Sequence, residues 1–262
     1  MISDLHIGWE VALAKEGVHV PSQTSRLIDK LKHLVALEKA DRLLVLGDIK
    51  HTVAKIEMEE WRDVPVFFEE ACKILPRVQV IPGNHDGNLE PLVPESVEIL
   101  SPRGTAVGDL GLFHGHTWPE VEMLGCSTMV IGHVHPVVVF RDPMGFRITR
   151  QVWVRGPCDS SLLARFVLRR HNVRLRKGMT PQDTLKTKFN INLGAENLVI
   201  MPSFNDFLGG QAINRSTIAR RRRFREFIGP VLRSGSVKLE KAEVYLLDGT
   251  FLGSLDGLRK LS

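Results

Sequence analysis

One pattern recurs along the first 135 residues and constrains the fold more than any other feature. A short apolar run ends, and a side chain able to bind a metal follows at once. Leu43–Leu46 leads into Gly47-Asp48, and Val78–Ile81 leads into Pro82-Gly83-Asn84-His85-Asp86. Leu110–Phe113 leads into His114-Gly115-His116, and Thr128–Ile131 leads into Gly132-His133-Val134-His135. A fifth instance, Asp4-Leu5-His6, follows only Met1, Ile2 and Ser3. Apolar runs of this length, stopped by glycine, read as buried strands. In open α/β sheets, ligands gather beyond the carboxyl ends of the strands. The chain is therefore expected to be α/β, with its strand ends converging on one point.

The rest of the pattern fits that class. Leu27, Ile28, Leu31, Leu34 and Val35 recur at helical spacing behind Ser22 and Thr24, either of which suits a cap. A second helix is expected over about 64–75, with Pro65 in its first turn. Phe140 and Phe146 flank a turn, and further strands are expected at 147–154, 197–201 and 242–247. Residues 159–190 read as a basic excursion, part helix and part loop, and Thr217 to Ile228 as a helix. There is no internal repeat or low-complexity linker. One domain over 1–262 is expected, with a motif-bearing core at 1–157 and a tail at 191–262 completing it. Only three residues precede Asp4, so its strand is a stub: either the natural start lies upstream, or the segment is expected to be weakly anchored.

Charge is divided unevenly. Residues 1–150 carry 15 Lys and Arg against 21 Asp and Glu, a net of −6, and nine of the ten histidines. Residues 151–262 carry 20 against 9, a net of +11. The acidic, histidine-rich half suits metal chemistry, and the basic half suits an anionic partner. The three cysteines, Cys72, Cys126 and Cys158, form no CxxC pair, which argues against a disulfide framework or a structural zinc site. No apolar run approaches the length of a membrane span, and a cytoplasmic protein is expected.

Singly, Asp4-x-His6 and Gly47-Asp48 are ordinary turn chemistry. Gly83-Asn84-His85-Asp86 is more informative, because three ligand-capable residues follow a buried strand. His133 and His135, at i and i+2 on a strand, would face the same way and could clamp neighbouring metals.

In combination, the order Asp-x-His, Gly-Asp, Gly-Asn-His-Asp, His-Gly-His and Gly-His-x-His over residues 4–135 resembles the calcineurin-like metallophosphoesterase family. The resemblance implies two mixed β-sheets packed as a sandwich and flanked by helices. It also implies a dinuclear centre. Asp4, His6 and His135 would hold one metal, Asn84, His114 and His133 the other, and Asp48 would bridge them. Carboxylate, amide oxygen and imidazole suit two divalent ions, with Mn2+ foremost and Fe, Zn, Co, Ni or Mg as alternatives. A metal-bridged hydroxide would attack phosphorus while His85, oriented and held protonated by Asp86, protonates the leaving oxygen; a cap that stabilises the turn is the alternative for Asp86.

Many family members place aspartate where this chain has His51, and histidine there resembles the DNA-repair nuclease branch. His51 either positions phosphate or His85, or caps the following helix; His116 contacts substrate or supports the ligands. Met201-Pro202-Ser203-Phe204-Asn205, Gly209-Gly210 and Tyr245–Gly249 resemble the small prokaryotic, largely archaeal, single-domain phosphoesterases related to those nucleases. Asn205 is accordingly a candidate support for the centre, with a sheet edge as the alternative. The expected activity is hydrolysis of phosphodiesters or phosphomonoesters of nucleotides or nucleic-acid ends. The alternatives are a DNA-repair exo- or endonuclease subunit and a scaffold whose catalysis has decayed. Arg220, Arg221, Arg222, Arg223 and Arg225 are candidates for tracking nucleic-acid phosphates, with a solvated helix face as the alternative.

Overall fold

The computed structural model describes residues 1–142, 144–215 and 227–261. The chain is mixed α/β, with two sheets flanked by helices. Its contacts divide it into two compact units, residues 1–102 with 203–208, and residues 103–202 with 209–262.

In the first unit, β1 (Arg42–Leu46), β2 (Arg77–Ile81) and β3 (Val97–Ile99) form a parallel sheet in the order β1-β2-β3. Four consecutive residues of β1 and four of β2 are buried, as expected of parallel strands covered on both faces. The unit's helices are α1 (Glu10–Lys15), α2 (Thr24–Glu38) and α3 (Met58–Ile74). The apolar spacing places Leu27, Ile28 and Leu31 of α2 in a core with Phe67 and Phe68 of α3. Helix α3 starts earlier than Pro65 suggests, because Glu57 and Glu60 form a capping box in which the Glu57 amide donates to Glu60 Oε2 at 2.9 Å. Pro65 therefore lies inside the helix, where the amide it lacks would have met the Trp61 carbonyl.

The short amino-terminal segment is well anchored, so the weakly anchored alternative does not hold. The amides of Ile2, Asp4, His6 and Ile7 donate to the carbonyls of Leu44, Gly47, Asp48 and Ile49 at 2.8–3.1 Å. Leu46 donates back to Ile2, and His51 to Ile7. The segment escapes a regular strand because Asp4 and His6 adopt φ of 58° and 45°.

In the second unit, β4 (Thr105–Val107), β5 (Leu110–Leu112), β6 (Thr128–Ile131), β7 (Pro136–Arg141), β8 (Arg147–Pro157), β9 (Asn197–Ile200) and β10 (Gln211–Ala212) lie in the order β10-β7-β8-β9-β6-β5-β4. Strands β11 (Glu243–Leu246) and β12 (Phe251–Ser254) extend this sheet from β8. The expected hairpin joins β7 to β8, and β8 continues to Pro157 because β11 and β9 pair with its second half.

Helices α4 (Ser160–Arg170), α5 (Pro181–Phe189), α6 (Pro230–Arg233) and α7 (Leu255–Lys260) complete the unit. The segment at 159–190 is thus two helices joined by a loop. Helix α4 starts at Asp159, whose Oδ1 accepts from the Leu162 amide at 2.9 Å. It buries Leu163, Ala164, Val167 and Leu168 in the core beside Val152 and Val154 of β8. The arginines Arg220, Arg221, Arg222, Arg223 and Arg225 lie outside the described residues, as does most of the helix expected at 217–228. Among the described residues, no helix is long and apolar enough to cross a membrane.

Candidate metal centre

Parallel pairing of β1 and β2, with Leu46 opposite Ile81, sets the loops after the two strands side by side. The loop after β1 carries Asp48 and His51; the loop after β2 carries Asn84, His85 and Asp86. The main chain of residues 2–7 hydrogen-bonds along the first of these loops and brings His6 to them. Asp4, His6 and Asp48 are buried, at 0%, 4% and 2% exposure, whereas Asn84 is exposed. His6 Nε2 lies 3.5 Å from Asp48 Oδ2, and His85 Nε2 lies 4.0 Å from the same oxygen. The His6 ring is 4.7 Å from that of His85 and 5.4 Å from that of His51, centroid to centroid. Burial, followed by the nearby His85, pushes the His51 pKa below its ordinary value.

The backbone around these groups is closely held. The His85 amide donates to Asp48 Oδ1 at 2.9 Å, and His85 Nδ1 donates to the His51 carbonyl. Asp86 turns its carboxylate to three amides: Oδ1 accepts from Ile49 and Lys50 at 2.8 and 3.3 Å, and Oδ2 from Gly83 at 2.7 Å. Gly83 passes so close to Asp48 that a Cβ there would collide with the Asp48 amide and Oδ1.

Buried Asn205 donates to the Leu5 carbonyl at 2.9 Å, and Ser203 Oγ donates to the Asp4 carbonyl at 3.1 Å. Glu60 is a contributor that sequence reasoning misses. Its carboxylate accepts from the amides of His51 and Thr52 at 3.0 and 2.6 Å. The spacing Glu57-x-x-Glu60 could have indicated it, although glutamate is an uncommon first member of a capping box.

The second unit repeats the arrangement with imidazoles. Strands β5 and β6 pair in parallel, so the loops that follow emerge together. The His114 ring lies 4.9 Å from that of His133 and 5.3 Å from that of His116. His114 is fully buried, whereas His116, His133 and His135 are partly buried. Strand β6 ends at Ile131, so His133 and His135 stand beyond it rather than on it. Both have left-handed backbones, with φ of 68° and 48°.

That conformation unites the candidates. Among the described residues ten non-glycine positions have φ in the left-handed region, and Asp4, His6, Asp48, His133 and His135 are five of them. Each costs on the order of 1–3 kcal/mol, and such strain concentrates where a side chain must be aimed. Asp4-Leu5-His6 and His133-Val134-His135 share one design, two left-handed polar residues around a buried apolar one. The apolar residue anchors the segment, and the bends set the direction of both polar side chains. Buried carboxylates beside imidazoles form a donor set that fits divalent metal ions.

Residues 1–175 match the family of calcineurin-like phosphoesterases. No curated protein matches the chain in sequence. Among solved structures, the chain is similar to the Pseudomonas putida nuclease MPE at 19% identity and a TM-score of 0.48, over 93% of this chain and 82% of that one. With the match extending over most of its length, the chain belongs to the calcineurin-like phosphoesterase family.

Proposed function

We propose that this protein is a metal-dependent phosphoesterase that hydrolyses phosphodiesters or phosphomonoesters of nucleotides or nucleic-acid ends. Family membership supports the reaction class. The observation that carries the metal assignment is the left-handed backbone at five of the proposed ligands, Asp4, His6, Asp48, His133 and His135. With Asn84 and His114 these make the proposed ligand set, in which Asp4, His6 and His135 would hold one ion, Asn84, His114 and His133 would hold the other, and Asp48 would serve both. Mn2+ is the first candidate for both positions. When bound, such ions polarise phosphoryl oxygens and lower the pKa of water.

The chain's own residues supply the rest. His85 protonates the leaving oxygen. Its Nδ1 is engaged by the His51 carbonyl, which leaves Nε2 as the nitrogen that moves the proton. Asp86 acts on His85 through the backbone: by gathering the amides of Ile49, Lys50 and Gly83 it fixes the two loops from which His85 and His51 project. His51 and His116 stand beside the ligands as groups that steady the phosphate. Asn205 and Ser203 hold the carbonyls of Leu5 and Asp4, and so the bend that aims the first two ligands.

The test is a panel of chromogenic phosphomonoesters, phosphodiesters and nucleotides, assayed with each divalent metal in turn. Metal-dependent hydrolysis of a phosphodiester or a phosphomonoester supports the reading; no hydrolysis of either with any metal would leave a catalytically decayed scaffold.

A further inference from the structure

Between Asp159 and Asp183 the chain carries Arg165, Arg169, Arg170, Arg174, Arg176 and Lys177, and no acidic residue. All six are exposed, on α4 and the loop that follows it. Among the described residues none of the six has a carboxylate partner. The helix dipole accounts for Arg169 and Arg170 in the last turn of α4, but not for the other four.

A second observation gives the patch a direction. Trp118 stacks on Phe166 of α4, with ring centroids 5.7 Å apart and planes 19° from parallel. Both rings are only partly buried, and with Arg169, Arg170 and Asn172 they line a cleft of about 290 Å³. A wider groove of about 780 Å³ adjoins it, lined in part by Arg165, Arg169 and Arg174. Trp118 follows His116 by two residues. That loop is tied to the end of α4, where His171 Nε2 donates to the Pro119 carbonyl at 3.1 Å and Nδ1 lies 3.8 Å from Glu120 Oε2.

We infer that this face binds an unpaired nucleic-acid strand and leads it toward His114 and His116, an inference that rests on the phosphoesterase reading above. A base stacks on the Trp118–Phe166 pair, and the backbone runs along the arginines. Stacking needs a base whose face is exposed, which a single strand offers and an intact duplex withholds. Guanidinium groups are suited to phosphate oxygens, and each such pairing releases counterions. Among the described residues of the groove, the apolar Val173 and Leu175 are half-buried against the core, and the exposed side chains are arginines and Asn172, which suit phosphate rather than acyl chains.

The experiment is fluorescence anisotropy of a labelled, cleavage-resistant phosphorothioate DNA strand across a salt series, with its duplex and phosphatidylserine vesicles as competitors. Replacing Arg169, Arg170 and Arg174 together with Ala is expected to flatten the salt slope by about 0.7 for each phosphate no longer neutralised, and the three Lys replacements to retain it. Trp118→Ala is expected to weaken single-strand binding roughly five- to hundredfold, and Trp118→Phe to restore most of it. Because Trp118 packs partly on the core, the surface arginine variants provide the arm that does not depend on its folding. An unchanged salt slope in the triple Ala variant, equal binding of the duplex, or displacement by the vesicles would overturn the inference. Hydrolysis of a small phosphodiester by the unaltered protein reports on the phosphoesterase reading separately. Hydrolysis without strand binding overturns the surface alone; strand binding without hydrolysis, under any divalent metal, removes that reading and leaves the surface as a binding face.

Discussion

The backbone amide of His85 donates to Oδ1 of Asp48 at 2.9 Å, so the loop that carries the proposed acid is latched to the carboxylate proposed to bridge the metals. Two roles that look separate in the sequence thus share one piece of main-chain geometry. Variants at the two positions are nevertheless expected to differ, because the latch uses the His85 backbone and the Asp48 side chain.

His85→Asn keeps that amide and loses the imidazole. Turnover is expected to fall roughly 10²–10⁴-fold, the range for loss of a general acid, with metal content unchanged. Steady-state kinetics with elemental analysis checks this, and loss of a metal from the variant would contradict the assignment of His85 as acid rather than ligand.

Asp48→Ala removes both the latch and the proposed shared ligand. Both ions are expected to be depleted, whereas His6→Ala should deplete chiefly one. Equal metal content in Asp48→Ala and the unaltered protein would show that the carboxylate is not a ligand.

Gly83→Ala tests the close approach of the two loops. The added Cβ would collide with the Asp48 amide and Oδ1, so Asp48 must move. Metal affinity and turnover should fall together, although residue 83 is not itself a ligand. Titration calorimetry with Mn2+ would expose an error here if affinity were unaltered.

Asp86→Ala strands the amides of Ile49, Lys50 and Gly83, each costing about 1–3 kcal/mol if left buried and unsatisfied. A drop in stability of at least about 2 kcal/mol is expected from urea unfolding, with Asp86→Asn between the two. A full loss of turnover at unchanged stability would instead point to direct contact of Asp86 with the reacting groups.

Much of this is legible in the sequence because strand ends announce themselves. Apolar runs closed by glycine mark β1, β2, β5 and β6 to within a residue or two, and the polar residues beyond them supply the candidate ligands. The anchoring of the amino-terminal segment is not legible, because a count of strand residues ignores hydrogen bonding along a bent chain. The start of α3 is obscured because Pro65, common in first turns, outweighs the less usual cap made by Glu57 and Glu60. His133 and His135 look like strand neighbours, since the period of two does not report the sign of φ. The Trp118–Phe166 pair gives no signal at all, its members being 48 positions apart in the sequence.

The most direct test of the metal-dependent phosphoesterase reading is hydrolysis of a chromogenic phosphodiester and a chromogenic phosphomonoester by protein stripped of divalent ions with a chelator, before and after Mn2+ is returned. The expected result is negligible hydrolysis by the stripped protein, and recovery as the metal content rises to about two ions per chain. Undiminished hydrolysis by the stripped protein, or none after restoration with any divalent ion, would contradict it.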